Sequence, residues 1–294
     1  MRQVTGCCFT RVSPTPVSPC CPPRKKALKV KYVHGKQSGW KIATGSKGCG
    51  MSNKMFQVST LHALMAGYTR SVITVQELER RGSIGLGTFE GVDGELILLD
   101  GVCCRACEDG TVVKPEPSDG IPFASVAAVQ GGTTFELGEM SDIDALNQEL
   151  TCKLDEAFAL NSMHIVTVEG SFDSVSARSE SAYRADHVTL KDMLATTQRE
   201  FVFEKLDGTL VCVYYPDYLD GINAPGWHVH FLSADRTKGG HVFDMSLHRG
   251  HAVMHKIDCI EIQLPATPAF DTYSLKETTH EDIAEVEQRK RAGK

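Results

Sequence analysis

From about residue 51 onward, apolar and polar positions fall into short runs, each bounded by a turn signal or a helix cap. Ser59 or Thr60 caps a helical turn or two through Leu64 that ends near Gly67, and Thr74-x-x-Glu77 is a capping box ahead of a helix that stops at Gly82. Strands are predicted at Ile84–Phe89, Leu96–Leu99 and Val102–Ala106, separated by the hairpin signals Asp93-Gly94 and Asp100-Gly101. Pro122–Val129 reads as another strand. Ser141–Leu150 opens a helix with Asp142 and Asp144 in its first turn, and a second short helical pattern runs to Ala159. A further sheet begins with the alternating run Met163–Glu169. Gly170 allows a bulge or a close approach, and Phe172–Ala177 continues the extension. Residues 189–197 read as helix. Phe201–Phe203 and Leu210–Tyr215 are joined through Asp207-Gly208, and Trp227–Leu232, His241–Leu247 and Ile257–Leu264 follow as strands. The tail 275–291 fits one amphipathic helix. Helices long enough for repeated βαβ crossovers are scarce. The predicted class is therefore α+β, with two mixed or mostly antiparallel sheets and short peripheral helices. The expected units are an N-terminal subdomain over 51–160 and a second over 161–294.

The first fifty residues break this pattern. They carry ten Lys or Arg without a single Asp or Glu, five prolines, and five of the chain's eleven cysteines. Such a segment is expected to be a disordered basic extension. Organellar targeting, export and a true start at Met51 are all compatible with it. The remaining residues hold 21 basic and 37 acidic side chains, a net charge of -16, which argues against nucleic-acid binding as the protein's task. No apolar run is long enough for a membrane span. An odd cysteine count, with one isolated Cys104-x-x-Cys107 and no second such pair, fits reduced thiols in the cytoplasm better than a disulfide framework or a zinc knuckle.

The chemistry-bearing feature is GWHVHFLSADRTKGGHVFDM. In a strand, His228 and His230 point to one face. With the turn centred between Asp235 and Arg236, His230 lies across from His241 and His228 lies one diagonal step away, so three imidazoles converge within reach of one ion. Three histidines with an open position are the arrangement of a catalytic zinc rather than a closed structural site. The expected placement of this hairpin faces the cleft between the two subdomains. Asp235 is expected to shape the turn, Gly239-Gly240 to free the backbone ahead of His241, and His248, His251 and His255 to be peripheral.

Three blocks, GSIGLGTFEGVDGELILLDG (82–101), EGSFDSVSARS (169–179) and GTLVCVYYPDYLDGINAPGWHVHFLSADRTKGGHVFDM (208–245), resemble the alpha-acetolactate decarboxylase family. The resemblance implies conversion of (S)-2-acetolactate to (R)-acetoin and carbon dioxide by a homodimer that holds one zinc on His228, His230 and His241. It places the family's remaining site residues on Thr88, Glu95 and Arg178, with a C-terminal glutamate on Glu287 or, close behind it, Glu285. Loss of carbon dioxide beside a ketone leaves charge on the carbonyl oxygen as an enediolate. Zinc suits that charge as a Lewis acid, Arg178 offers a fork for the carboxylate, and Glu95 is the candidate for proton delivery to carbon. Two departures stand out. Cys212 replaces the family's usual glycine, and SESAYRADH after Arg178 replaces a stretch containing proline and glutamine.

Other chemistries fit parts of the same pattern. A zinc-dependent hydrolase or isomerase would use Glu95 to activate a zinc-bound water. A cupin-like iron protein would need a carboxylate ligand soon after the histidine pair, where Asp235 is the nearest candidate. A structural zinc would need a fourth Cys or His close by.

Overall fold

The computed structural model of the chain describes residues 53–157, 159–183, 185–275 and 286. The expected extension over 1–50, nearly all of the expected tail helix, and both Glu285 and Glu287 lie outside the described residues. In chain order the elements are β1 (Lys54–Val58), α1 (Leu61–Met65), β2 (Ile73–Thr74), α2 (Val75–Glu79), β3 (Ile84–Thr88), β4 (Glu95–Leu99), β5 (Val102–Ala106), β6 (Val112–Val113), β7 (Gly120–Ile121), β8 (Phe123–Ala128) and β9 (Thr133–Leu137). They continue with α3 (Ile143–Glu156), β10 (Met163–Glu180), α4 (Leu190–Thr197), β11 (Gln198–Tyr215), β12 (Gly226–Ser233), β13 (Gly239–Ile257) and β14 (Cys259–Gln263).

A seven-stranded sheet runs in the order β14-β1-β8-β3-β4-β5-β6, and a five-stranded sheet in the order β10-β11-β12-β13-β9. All pairings are antiparallel except β1 with β14, so the first sheet is mixed. In the second sheet β10 also pairs along β13, which closes β10, β11, β12 and β13 into a ring. The predicted class and sheet types agree with this architecture. Strand β14 comes from the second half of the chain yet forms the edge of the first sheet. Among the described residues no helix is long and apolar enough to cross a membrane.

The helices are anchored by their caps. Thr74 accepts from the Glu77 N–H while the Glu77 carboxylate takes the Thr74 N–H at 2.8 Å, the predicted capping box. Thr60 caps α1 and Asp142 caps α3 through the Ala145 N–H at 2.8 Å. In α3, Leu146, Leu150 and Leu154 recur every four residues and are fully buried, so that stripe faces the second sheet's core. The two predicted helical pieces are thus one helix of 14 residues.

Three further differences have physical reasons. β1 and β9 are strands where none was predicted: β1 opens a segment read as helical, and the outward side chains of Thr133, Thr134 and Glu136 hide the alternation of β9. Asp207-Gly208 is no turn but lies inside the 18-residue β11; a Cβ on Gly208 would come within 2.4 Å of the Phe231 ring, so packing requires the glycine. Gly170 fits the second of its two expectations, close approach: it sits inside the continuous β10, where a Cβ would come within 2.4 Å of the Arg249 carbonyl oxygen, and the irregularities lie just beyond it, between Ser171 and Ser174 and again between Ser176 and Ala177.

The sheets pack face to face. Met55, Leu86, Ile97 and Ala127 from the first sheet meet Ile165, Val211, Val213 and Leu232 from the second in one buried cluster. This layer sets β4 directly beneath the β12–β13 hairpin, whose histidines therefore look onto the first sheet.

Candidate metal centre

The hairpin register is the one its turn predicts. His230 pairs with His241, Phe231 with Gly240 and Leu232 with Gly239. Asp235 shapes the turn as expected: its Oδ1 accepts from the Ser233 hydroxyl at 2.6 Å, the Thr237 N–H at 3.1 Å and the Thr237 hydroxyl at 2.8 Å. The carboxylate that a cupin-like site would require is thus exposed at the turn and committed to it.

His228, His230 and His241 are all buried, and their ligand atoms lie within 4.8 Å of one another. His228 Nε2 is 3.1 Å from His230 Nε2 and 3.1 Å from His241 Nδ1. A tetrahedral zinc with Zn–N near 2.0–2.1 Å needs nitrogens about 3.3 Å apart, so the donor set fits the ion in both type and spacing. The tautomer of His230 is fixed from behind: its Nδ1 donates to the Leu96 carbonyl at 2.9 Å, which leaves the Nε2 lone pair facing its neighbours.

Burial pushes His228 down to about 3, helped by the Arg178 charge, and drives His230 well below an ordinary imidazole by burial and then by His228. Neutral rings are what a cation requires. The sign for stability follows. The unfolded chain binds protons on these rings below about pH 6.5 and the folded chain refuses them, so stability falls as the pH drops from that value toward 3. Metal-free protein is expected to lose about 1.4 kcal/mol per pH unit for each such ring. Thermal unfolding measured between pH 7 and 5 checks this, and a flat profile would contradict it.

Glu95 opens β4 and is 9% exposed. Its carboxylate oxygens lie 3.4 Å from His230 Nε2 and 3.8 Å from His241 Nδ1. Thr88 stands opposite it in the ladder, and its hydroxyl donates to the Gly94 carbonyl at 2.9 Å. The connecting turn is held from outside by Arg105, which stacks on the Phe89 ring at 4.1 Å and pairs with Asp93 at 3.2 Å. Thr88 therefore fixes the turn that presents Glu95, in addition to lining the cavity.

Arg178 pairs with His241 across β10 and β13 and is 5% exposed. The irregularity between Ser176 and Ala177 brings the two onto one rung. Its Nη2 lies 3.2 Å from His241 Nε2 and donates to the Val286 carbonyl. The divergent segment after it packs on the turn before Glu95, with the Tyr183 N–H donating to the Gly91 carbonyl at 2.8 Å.

Thr88, Glu95, Arg178, His228 and His241 line one cavity, with His230 directly behind. Leu64, Val92, Phe123, Leu190 and Leu194 form its apolar side. Two polar lining residues went unnoticed in the sequence, Glu180 and Gln198. The available signal for Glu180 was parity, because it lies two residues beyond Arg178 on the same strand face. Cys212 is elsewhere: it is fully buried in the core of the second sheet, where burial pushes its thiol up. His251 is exposed and pairs with Glu136 at 2.7 Å, outside the centre.

Comparison with known proteins supplies the context. The profile of the alpha-acetolactate decarboxylase family matches residues 55–277. An alpha-acetolactate decarboxylase of Methanosarcina mazei is 33% identical over 237 residues, covering 81% of this chain and 81% of the relative. That of Streptococcus thermophilus is 34% identical over 217 residues, covering 72% and 88%. The crystal structure of alpha-acetolactate decarboxylase from Bacillus subtilis superposes with a TM-score of 0.75 at 29% identity, covering 80% of this chain and 99% of that one.

Proposed function

This chain belongs to the alpha-acetolactate decarboxylase family, and from that premise we propose that it converts (S)-2-acetolactate to (R)-acetoin and carbon dioxide with one zinc held by His228, His230 and His241. The observation that carries the reading is the cluster of three buried imidazoles, two of them lining a cavity that the Glu95 carboxylate and Arg178 also line.

An ion held by His228, His230 and His241 would supply Lewis-acid stabilisation of the charge that develops on the keto oxygen of a 2-hydroxy-3-oxo acid. Arg178 receives the substrate carboxylate through its planar fork. His241 supports that role through its own tautomer: with Nδ1 given to a metal, its Nε2 carries the ring proton and no longer accepts from Arg178. Glu95 holds the proton that replaces carbon dioxide on carbon, and its place between the rings and the substrate fixes the face of delivery. Thr88 keeps the Glu95 turn in position. The apolar side, with Val92 and Phe123 among its members, excludes water while charge builds on the keto oxygen. The C-terminal glutamate of the family, on Glu287 or Glu285, is carried forward on the resemblance alone, as are the homodimer and the placement of the centre in a cleft between subdomains. Six free cysteines among the described residues support a reducing, cytoplasmic setting.

The test is product analysis. Purified protein loaded with zinc should release carbon dioxide and (R)-acetoin from racemic acetolactate without dioxygen or an organic cofactor, as followed by chiral gas chromatography. Hydrolysis or isomerisation without carbon dioxide would replace this reading with a zinc hydrolase or isomerase.

A further inference from the structure

Directly behind the cavity, four buried polar side chains meet where the two sheets face each other. Gln57 on β1 and Ser125 on β8 share a rung of the first sheet, Tyr215 ends β11 in the second, and Asn223 lies in the connection from β11 to β12. None of the four is more than 1% exposed. Gln57 Oε1 accepts from the Ser125 hydroxyl at 2.6 Å and from the Tyr215 hydroxyl at 2.9 Å. Asn223 Nδ2 donates to Ser125 Oγ at 2.9 Å and, more distantly, to Gln57 Oε1 at 3.4 Å. Its Oδ1 takes the Ala224 N–H at 2.8 Å, which fixes the end of the amide that faces Ser125.

This knot reaches the cavity wall along two routes. One is the first sheet. Phe123, Thr88 and Glu95 form the rung that lines the cavity, and Ser125, Leu86 and Ile97 form the next rung on the same face, about 7 Å back along the strands. The other route is α1. The carbonyls of Gly221 and Ile222 accept from the His62 and Leu61 N–H groups at 3.0 and 2.9 Å, so the connection that Asn223 anchors also seats the helix. The approach is close enough that a Cβ on Gly221 would come within 2.5 Å of the His62 ring. From that helix Leu64 reaches the cavity, and Ala224 packs with Leu64, Val92, Phe123 and Leu190 in one cluster. Apolar side chains could fill the same interior, but only directional bonds hold the connection in one place.

We propose that Asn223 is a positioning residue: through Ser125 and α1 it sets how much room the apolar wall leaves for the alkyl group of a 2-hydroxy acid held at the histidines. The inference rests on the decarboxylase reading for the identity of that acid, whose carboxylate goes to Arg178 and whose alkyl group is left facing the wall. A fixed apolar pocket distinguishes ligands that differ by one methylene by about tenfold or more. A pocket whose wall can give loses that discrimination.

Lactate and 2-hydroxyisovalerate are suitable probes, since both are 2-hydroxy acids and they differ as methyl against isopropyl. Calorimetry on zinc-loaded protein reads both Kd values. Asn223→Ala should keep its zinc and lower the ratio of the 2-hydroxyisovalerate Kd to the lactate Kd by about fivefold or more. Tyr215→Phe removes a buried hydroxyl of the same knot, and so lowers thermal stability, but leaves the Asn223 bonds in place. Its ratio should stay at the wild-type value. Ser125→Ala removes the acceptor of Asn223 and carries the test if Asn223→Ala does not fold. An unmoved ratio in the variant that carries the test overturns the proposal. So does an equal fall in Tyr215→Phe, which would reduce the effect to general loosening. Acetolactate turnover by the wild type is assayed in parallel. Its absence would overturn the decarboxylase reading and leave the calorimetric ratio to judge Asn223, whereas turnover with an unmoved ratio would overturn the role of Asn223 alone.

Discussion

Replacing His230 with alanine is expected to remove the bound metal and to lower acetoin formation by about 10³-fold or more, several kcal/mol of lost Lewis-acid stabilisation, while the protein stays folded. His230 is the fully buried member of the triad, paired with His241 in the hairpin and tied through Nδ1 to the Leu96 carbonyl. Without it the remaining pair, His228 and His241, offers only two nitrogens. The fold should survive because the hairpin is held by backbone pairing and by the Asp235 turn, neither of which involves the imidazole. Metal content by elemental analysis and ellipticity by circular dichroism are the two readouts. Full zinc occupancy in the folded variant would remove His230 from the ligand set.

Glu95→Gln should have the opposite signature. The amide preserves shape and leaves all three histidines in place, so zinc should remain bound. The group can no longer hold and deliver the proton, and a loss of about 10²–10⁴-fold in kcat is expected for a true general acid. Arg178→Lys is the companion variant: it keeps the charge and loses the fork, so its defect should appear chiefly in KM. Near-wild-type kinetics in both variants, measured with zinc content confirmed, would place the chemistry on other side chains.

The centre was more legible in the sequence than the sheets around it. A period-two pattern and a turn of known length determine which residues share a rung, so His230 opposite His241 follows from counting alone. Long strands are harder because local signals misdirect. Asp207-Gly208 carries the composition of a hairpin turn, yet its glycine answers to the Phe231 ring, a contact 23 residues distant in sequence that no local pattern encodes. β9 is similarly obscure, since four of its five residues are outward or half-exposed and its partner is β13. Glu95 and Arg178 drew notice only through the family resemblance, because a glutamate after Asp-Gly and an arginine in a strand are ordinary surface residues until the tertiary fold turns them inward. Glu180 was hidden for the same reason.

The parallel pairing of β1 with β14 joins residues 54–58 to 259–263 across nearly the whole described chain. During synthesis β1 can gain β8 early, but its other flank stays open until the last strand has left the ribosome, and non-local closure of this kind is slow. A nascent or prematurely terminated chain ending before Cys259 would already contain Glu95, Arg178 and all three histidines. It would nonetheless present an uncovered strand edge, the usual template for association between chains. For such a product the failure would be aggregation rather than lost chemistry, which makes the short segment after Ile257 a gatekeeper of yield.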